Sequence, residues 1–172
     1  MNSHRHRHDS KSLVGFVVGD VHYAVPIARV VEIANPLTIV ALPHAPAAVS
    51  GVADYRGDVV PVVDLRVRFG LAAVPQTRRT KWIVVDVGER FAALVVDTVT
   101  EVFGTGGAEL RPAPALGGGD DKRGISGVTS YGGGLVFVLE TTRLRELTEP
   151  LVAAGSIGPA ARTPSLHAKA AL

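Results

Sequence analysis

The sequence predicts an all-β protein assembled from two similar small units, and three observations lead there. Valine is the first: it fills 27 of the 172 positions, many in runs such as Val59-Val60-Pro61-Val62-Val63. A side chain branched at Cβ suits the pleated, half-buried surface of a strand. Punctuation is the second. Short apolar stretches alternate with turn signals at Gly19-Asp20, Gly57-Asp58, Gly88-Glu89 and Gly132-Gly133-Gly134, a spacing that suits small barrels or a sandwich. The third is repetition: Val49-Ser50-Gly51-Val52-Ala53-Asp54-Tyr55-Arg56-Gly57 returns 76 positions on as Ile125-Ser126-Gly127-Val128-Thr129-Ser130-Tyr131-Gly132-Gly133.

Residues 1–12 are polar and hold His4-Arg5-His6-Arg7-His8, which reads as a flexible leader rather than a metal site, although alternating imidazoles can hold a metal loosely. The first unit, about 13–70, runs through Val18-Gly19-Asp20 and Val30-Val31-Glu32-Ile33 to the repeated block. Asp64 follows a strand, in position to cap a short helix through Arg66-Val67-Arg68-Phe69. The second unit, about 81–148, repeats these features in the same order. Val87-Gly88-Glu89 and Val99-Thr100-Glu101-Val102 lie 69 positions after their counterparts, while Val136, Val138 and Glu140 lie 76 after Val60, Val62 and Asp64. The seven extra residues are expected in the Gly-rich 115–124 loop. Residues 149–172, Ala/Gly/Pro/Ser-rich from about Ala153, read as a disordered tail. A unit of about 60 residues has a marginal core, so two gain stability by packing together, and the cleft between them is a natural binding place.

The two copies act as controls for each other. Gly51/Gly127 and Gly57/Gly133 are kept in both and read as turn geometry. Arg56 stands where the second copy has Gly132, so the fold does not demand an arginine there. Glu32, matched by Glu101, and Arg56 each sit in an apolar stretch. An unpaired charge there is costly, so a mutual ion pair is expected in preference to two side chains pointing outward to solvent.

Composition excludes several classes. With no cysteine there is no disulfide framework, thiol catalysis or Cys-ligated metal. No window approaches the roughly 20 apolar residues that span a bilayer and the start lacks the apolar stretch of a secretory signal, so the expected location is the cytoplasm. The pI of about 9.2 suggests nucleic acid, but the positive excess sits in residues 1–12 and 149–172, leaving 13–148 with 13 basic and 14 acidic side chains. Asp54, Asp58 and Asp64 read as turn and cap residues rather than an acid–base pair. His22, His44 and His167 are scattered without ligand spacing. No nucleophile elbow, Walker loop or dinucleotide fingerprint occurs. No enzymatic activity, cofactor or metal is expected.

The stretch Ser50 to Arg66, with Arg56-Gly57, Pro61-Val62-Val63 and Asp64-Leu65-Arg66, resembles the GVxNLRGxxxPVVDLR pattern of the CheW-like adaptors of bacterial chemotaxis. Val30-Val31-Glu32-Ile33, Gly88-Glu89-Arg90, Val95-Val96-Asp97 and Leu110-Arg111-Pro112-Ala113-Pro114 extend the resemblance in the same order over about 13–148. It implies a single domain of two intertwined five-stranded SH3-like β-barrel subdomains with a few short helices. It also implies a scaffold that joins the cytoplasmic tip of chemoreceptors (methyl-accepting proteins) to the regulatory domain of a CheA-type histidine kinase, recruited to membrane-associated receptor arrays without inserting into the membrane. Carried over, the receptor groove falls on Val30, Glu32, Asp54, Arg56 and Gly57, with Val99 and Val102 opposite, and the Glu32–Arg56 pair holds its shape. Kinase contacts belong to exposed apolar barrel ends that the motif does not fix. Asp54-Tyr55 departs from the family's Asn-Leu, and the added Asp charge is expected either to compete with Glu32 for Arg56 or to alter receptor preference. Two alternatives stand beside this reading: a CheW-like adaptor of a non-flagellar pathway serving surface motility, pili or gene regulation, and a two-barrel nucleic-acid binder whose complex would be salt-sensitive.

Overall fold

The structure, a computed structural model, describes residues 11–106, 110–113 and 124–148. The histidine-rich start, the Gly-rich stretch at 115–123 and the tail from 149 lie outside them. Among the described residues ten strands follow in chain order: β1 Ser12–Val18, β2 Val21–Pro26, β3 Val30–Ala34, β4 Val49–Tyr55, β5 Asp58–Asp64, β6 Lys81–Asp86, β7 Phe91–Val96, β8 Thr98–Gly104, β9 Ile125–Tyr131 and β10 Gly134–Leu139. An α-helical turn, α1 Leu65–Arg68, follows β5, 3₁₀ turns occupy Ile27–Arg29 and Thr141–Leu144, and residues 145–148 are helical. The all-β expectation holds, with two five-stranded sheets.

The sequence repeat and the sheets are cut differently. One sheet has the order β8-β1-β2-β10-β9 and the other β3-β6-β7-β5-β4. The first unit lends β1 and β2 to the sheet completed by the second unit, and receives β6 and β7 in return. Exchanging every strand for its repeat-mate (β1 for β6, through to β5 for β10) turns one order into the other. The parallel pairs obey the same rule, β10 on β2 and β5 on β7. The two units are therefore intertwined, and neither sheet is complete within one half of the chain.

This exchange explains the valine runs. Val14, Phe16, Val18, Val25, Ile83, Val85, Leu94 and Val96 form the large core between the sheets. The opposite faces of the same strands fill two smaller cores: Trp82, Val84, Ala93, Val60 and Val62 in one sheet, and Leu13, Ala24, Val136 and Val138 in the other. A strand buried on both faces has no polar face to alternate with, so its sequence runs continuously apolar.

Polar groups pin the layers. Asp64 caps α1, its Oδ1 accepting from the Arg66 and Val67 amides at 2.8 and 3.3 Å, as its sequence position predicts. Its repeat-mate Glu140 accepts from the Thr142 hydroxyl at 2.9 Å. Arg66 Nη1 meets Asp97 Oδ2 at 2.6 Å, and that oxygen also accepts the Gly19 amide at 2.7 Å. This partly buried clamp joins the β1–β2 turn of one sheet to the helix that follows β5 of the other.

Gly57 and Gly133 occupy hairpin turns at φ of 88° and 79°, as turn geometry requires. Gly51 and Gly127 do not. They lie inside β4 and β9, and the chain leading into each strand crosses directly over them. Val40 bridges Val52 through two backbone hydrogen bonds of 2.8 and 2.9 Å, and Arg111 bridges Val128 at 3.0 and 2.8 Å. A Cβ on Gly51 would stand 2.2 Å from the Val40 carbonyl oxygen, and one on Gly127 would stand 2.7 Å from that of Arg111. Glycine is required there by the close approach of another backbone rather than by a turn.

Candidate partner-binding site

β3 and β4 are the two outer strands of their sheet, as β8 and β9 are of theirs. Side chains join β3 to β4 along a first seam, where Glu32, Asp54, Tyr55, Arg56 and Gly57 lie, whereas Val30 lies at the start of β3 and Val99 and Val102 lie on β8 of the other sheet. The Tyr55 ring, buried with Trp82, Val60 and Ala53 inside the barrel, directs its hydroxyl outward to donate to Glu32 Oε2. The same oxygen takes Arg56 Nη2 at 2.8 Å, and the Arg56 guanidinium carbon lies 5.4 Å from the Tyr55 ring centroid. Tyr55, Glu32 and Arg56 thus close a triangle across the seam. Glu32 and Arg56 come together at a half-exposed surface rather than inside the apolar core, their side chains being 34% and 72% exposed. Such a pair is worth roughly 0–1 kcal/mol of stability.

The second seam carries a reduced copy. Tyr131, the repeat-mate of Tyr55, lies near enough to Glu101, the repeat-mate of Glu32, for that carboxylate to act on its phenol. Phe103 stacks on Tyr131 with ring centroids 4.0 Å apart, while Gly132 supplies no charge. Both phenols are held above the ordinary tyrosine range, first by the bond to the carboxylate and then by burial; the Arg56 guanidinium works the other way on Tyr55. A raised phenol pKa stabilises the protonated, folded form, so both latches are intact at neutral pH and are lost only as pH climbs past about 10.

The backbone marks Arg56 as unusual. Its φ is 54°, a left-handed conformation, where the repeat-mate Gly132 has 58°. A non-glycine residue held there costs about 1–2 kcal/mol. Asp54 does not contest the guanidinium, contrary to the expected competition: its Oδ1 accepts the Gly57 amide at 2.8 Å and so tightens the turn that presents Arg56.

The apolar candidates lie on the margin of the inter-sheet core. Val30 and Ile33 stand opposite Val85 and Ile83 in the β3–β6 register, and Val99 and Val102 opposite Phe16 and Val14 in the β1–β8 register. Directly opposed residues share a face, and those four partners all belong to the core between the sheets. Val30 and Val99 pack against that core, while Ile33 and Val102 remain 42% and 54% exposed. Ile33 is the position that sequence reasoning missed, although it lies 69 residues before Val102, the spacing of the repeat. In the sequence Tyr55 marks only a departure from the family pattern, and nothing local joins it to Glu32. Glu32 stands opposite Val84 of the smaller core, so the charged pair and the apolar candidates come from the two faces of β3 and from β8 of the other sheet.

Residues 12–148 match the model of the CheW-like domain family. The chain is 36% identical over 101 residues to the chemotaxis protein CheW of Helicobacter pylori, covering 59% of this chain and 61% of that protein, which is less than two thirds of its length. It is 33% identical over 130 residues to the chemotaxis protein CheW of Rhizobium meliloti, covering 76% of this chain and 84% of that one. The crystal structure of the scaffolding protein TtCheW from Thermoanaerobacter tengcongensis shares the fold at a TM-score of 0.70 and 24% identity, covering 76% of this chain and 89% of that chain.

Proposed function

The chain belongs to the CheW-like domain family of chemotaxis coupling proteins, and from that premise we propose that it joins chemoreceptor cytoplasmic tips to a CheA-type histidine kinase by non-covalent binding. The observation that carries the receptor half is the seam triangle of Tyr55, Glu32 and Arg56. A receptor helix lays apolar side chains, spaced three and four residues apart, against Val30, Ile33, Val99 and Val102, while its polar flank meets Arg56. The kinase half falls on the exposed apolar hairpins at the barrel ends. Val59 on β5 and Leu135 on β10 are repeat-mates, both exposed, and they present apolar surface from each sheet.

In this role the protein transfers no group and needs no cofactor. A receptor that changes state changes its contacts with these residues, and the kinase equilibrium shifts by the differential free energy of those contacts. Among the described residues no helix is long and apolar enough to cross a membrane, so placement at a receptor array rests on binding the receptor.

Val30→Met tests the groove by adding bulk at its margin. Receptor pull-down is expected to fall about tenfold, a change of about 1.4 kcal/mol, while kinase pull-down stays within about twofold. A folded Val30→Met variant that retains full receptor binding rules that margin out as the docking face.

A further inference from the structure

We propose that Tyr55 is a positioning residue for receptor binding: its hydroxyl fixes the Glu32 carboxylate, and that carboxylate holds the Arg56 guanidinium in place before a partner arrives. The inference rests on the receptor-binding reading above and deepens it. Left alone on an exposed turn, an arginine explores many rotamers, and ordering it at the moment of binding costs affinity. Here three contacts order it in advance. One Glu32 oxygen receives both the Tyr55 hydroxyl and Arg56 Nη2, and the guanidinium lies beside the Tyr55 ring. The ring itself is immobilised in the barrel core with Trp82 and Val62, so the fixed point of the chain of contacts is the fold. The guanidinium has five N–H donors, and Nη2 alone meets Glu32. Asp54, bound to the Gly57 amide, holds the turn beneath it.

The second seam separates positioning from mere closure. Tyr131 and Glu101 are the corresponding pair on β9 and β8, close enough for the carboxylate to act on the phenol, with Gly132 where the first seam has Arg56. If the tyrosine–glutamate bond served only to close a barrel, the two copies would behave alike. Under the positioning role, only the copy that carries an arginine affects the partner.

The experiment compares Tyr55→Phe and Tyr131→Phe in the full chain, each also combined with Arg56→Gly, using a receptor cytoplasmic fragment as the probe and kinase binding as the control for folding. Tyr55→Phe is expected to weaken receptor binding about fivefold, the scale of one hydrogen bond. Tyr131→Phe is expected to stay within about twofold, and Tyr55→Phe is expected to add nothing once Arg56 is glycine. The proposal is overturned if Tyr55→Phe binds receptor as tightly as the parent protein. It is overturned equally if Tyr131→Phe loses as much, or if the Tyr55→Phe loss persists without Arg56. Should Tyr55→Phe lose kinase binding as well, ultraviolet titration of the Tyr55 phenol in the parent and in Arg56→Gly decides: a rise on removing the guanidinium supports the contact, and an unmoved phenol overturns it. A parent protein that binds no receptor fragment while folded refutes the receptor-binding reading itself, and this inference with it.

Discussion

Arg56→Gly is expected to weaken receptor binding about twentyfold, to a residual affinity that is still measurable, while leaving folding stability within about 1 kcal/mol of the parent protein. The opposing contributions are visible at one turn. Arg56 sits at φ 54° and its repeat-mate Gly132 at 58°, so glycine already occupies the equivalent position and relieves about 1–2 kcal/mol of left-handed strain. Against that stand the exposed pair with Glu32, worth roughly 0–1 kcal/mol, the contact with the Tyr55 ring, about 0.5–1 kcal/mol at such a surface, and the greater freedom of glycine in the unfolded chain, about 0.5–1 kcal/mol. A residue kept in strain with no net gain to the fold points to function. Thermal melting and receptor affinity, measured on the same preparation, separate the two roles. A melting point that falls by 5 °C or more with receptor binding intact would make Arg56 a structural residue, since about 2–4 °C corresponds to 1 kcal/mol in a chain of this size.

Gly51→Ala is expected to destabilise the protein by at least about 3 kcal/mol, lowering the melting temperature by roughly 6–12 °C. The added Cβ would lie 2.2 Å from the Val40 carbonyl oxygen and 2.8 Å from Ile39 Cγ2, at a φ of 144°. Relief requires the crossing segment to lift, breaking both Val40–Val52 backbone hydrogen bonds at about 1 kcal/mol or more each once buried groups lose partners. Strain at the glycine itself adds to this. Gly57→Ala is the control: its φ is 88° but nothing lies within 4 Å of the new Cβ, so its loss is expected near 1 kcal/mol. Equal losses for the two variants would mean that the crossing segment yields freely, and that positive φ alone accounts for Gly51.

Local features were legible in the sequence, and of the contacts between distant segments the Glu32–Arg56 pair was expected while the others were not. Asp64 is readable as a cap because its acceptors' partners are two and three residues away. The strand repeat is readable because Val49–Tyr55 and Ile125–Tyr131 align without a gap. Which sheet each strand joins is not, because an internal repeat records similarity between copies and is silent on exchange between them. Gly51 was misread for the same reason: a conserved-in-both glycine suits a turn or a close approach equally, and the crossing at Val40 is a tertiary fact. The Arg66–Asp97 clamp spans 31 positions with no periodic signal. Of the site, Glu32 and Arg56 stand out in the sequence as charges among apolar neighbours, whereas Tyr55, the residue that binds that glutamate, shows there only as a departure from the family pattern.

Co-sedimentation of kinase with receptor-bearing assemblies, with and without this protein, tests the coupling function most directly. Kinase is expected in the pellet only when the protein is present, and Arg56→Gly is expected to leave kinase and adaptor together in the supernatant. Kinase that pellets equally without the protein, or that fails to pellet with it although both partners are folded, would contradict the account.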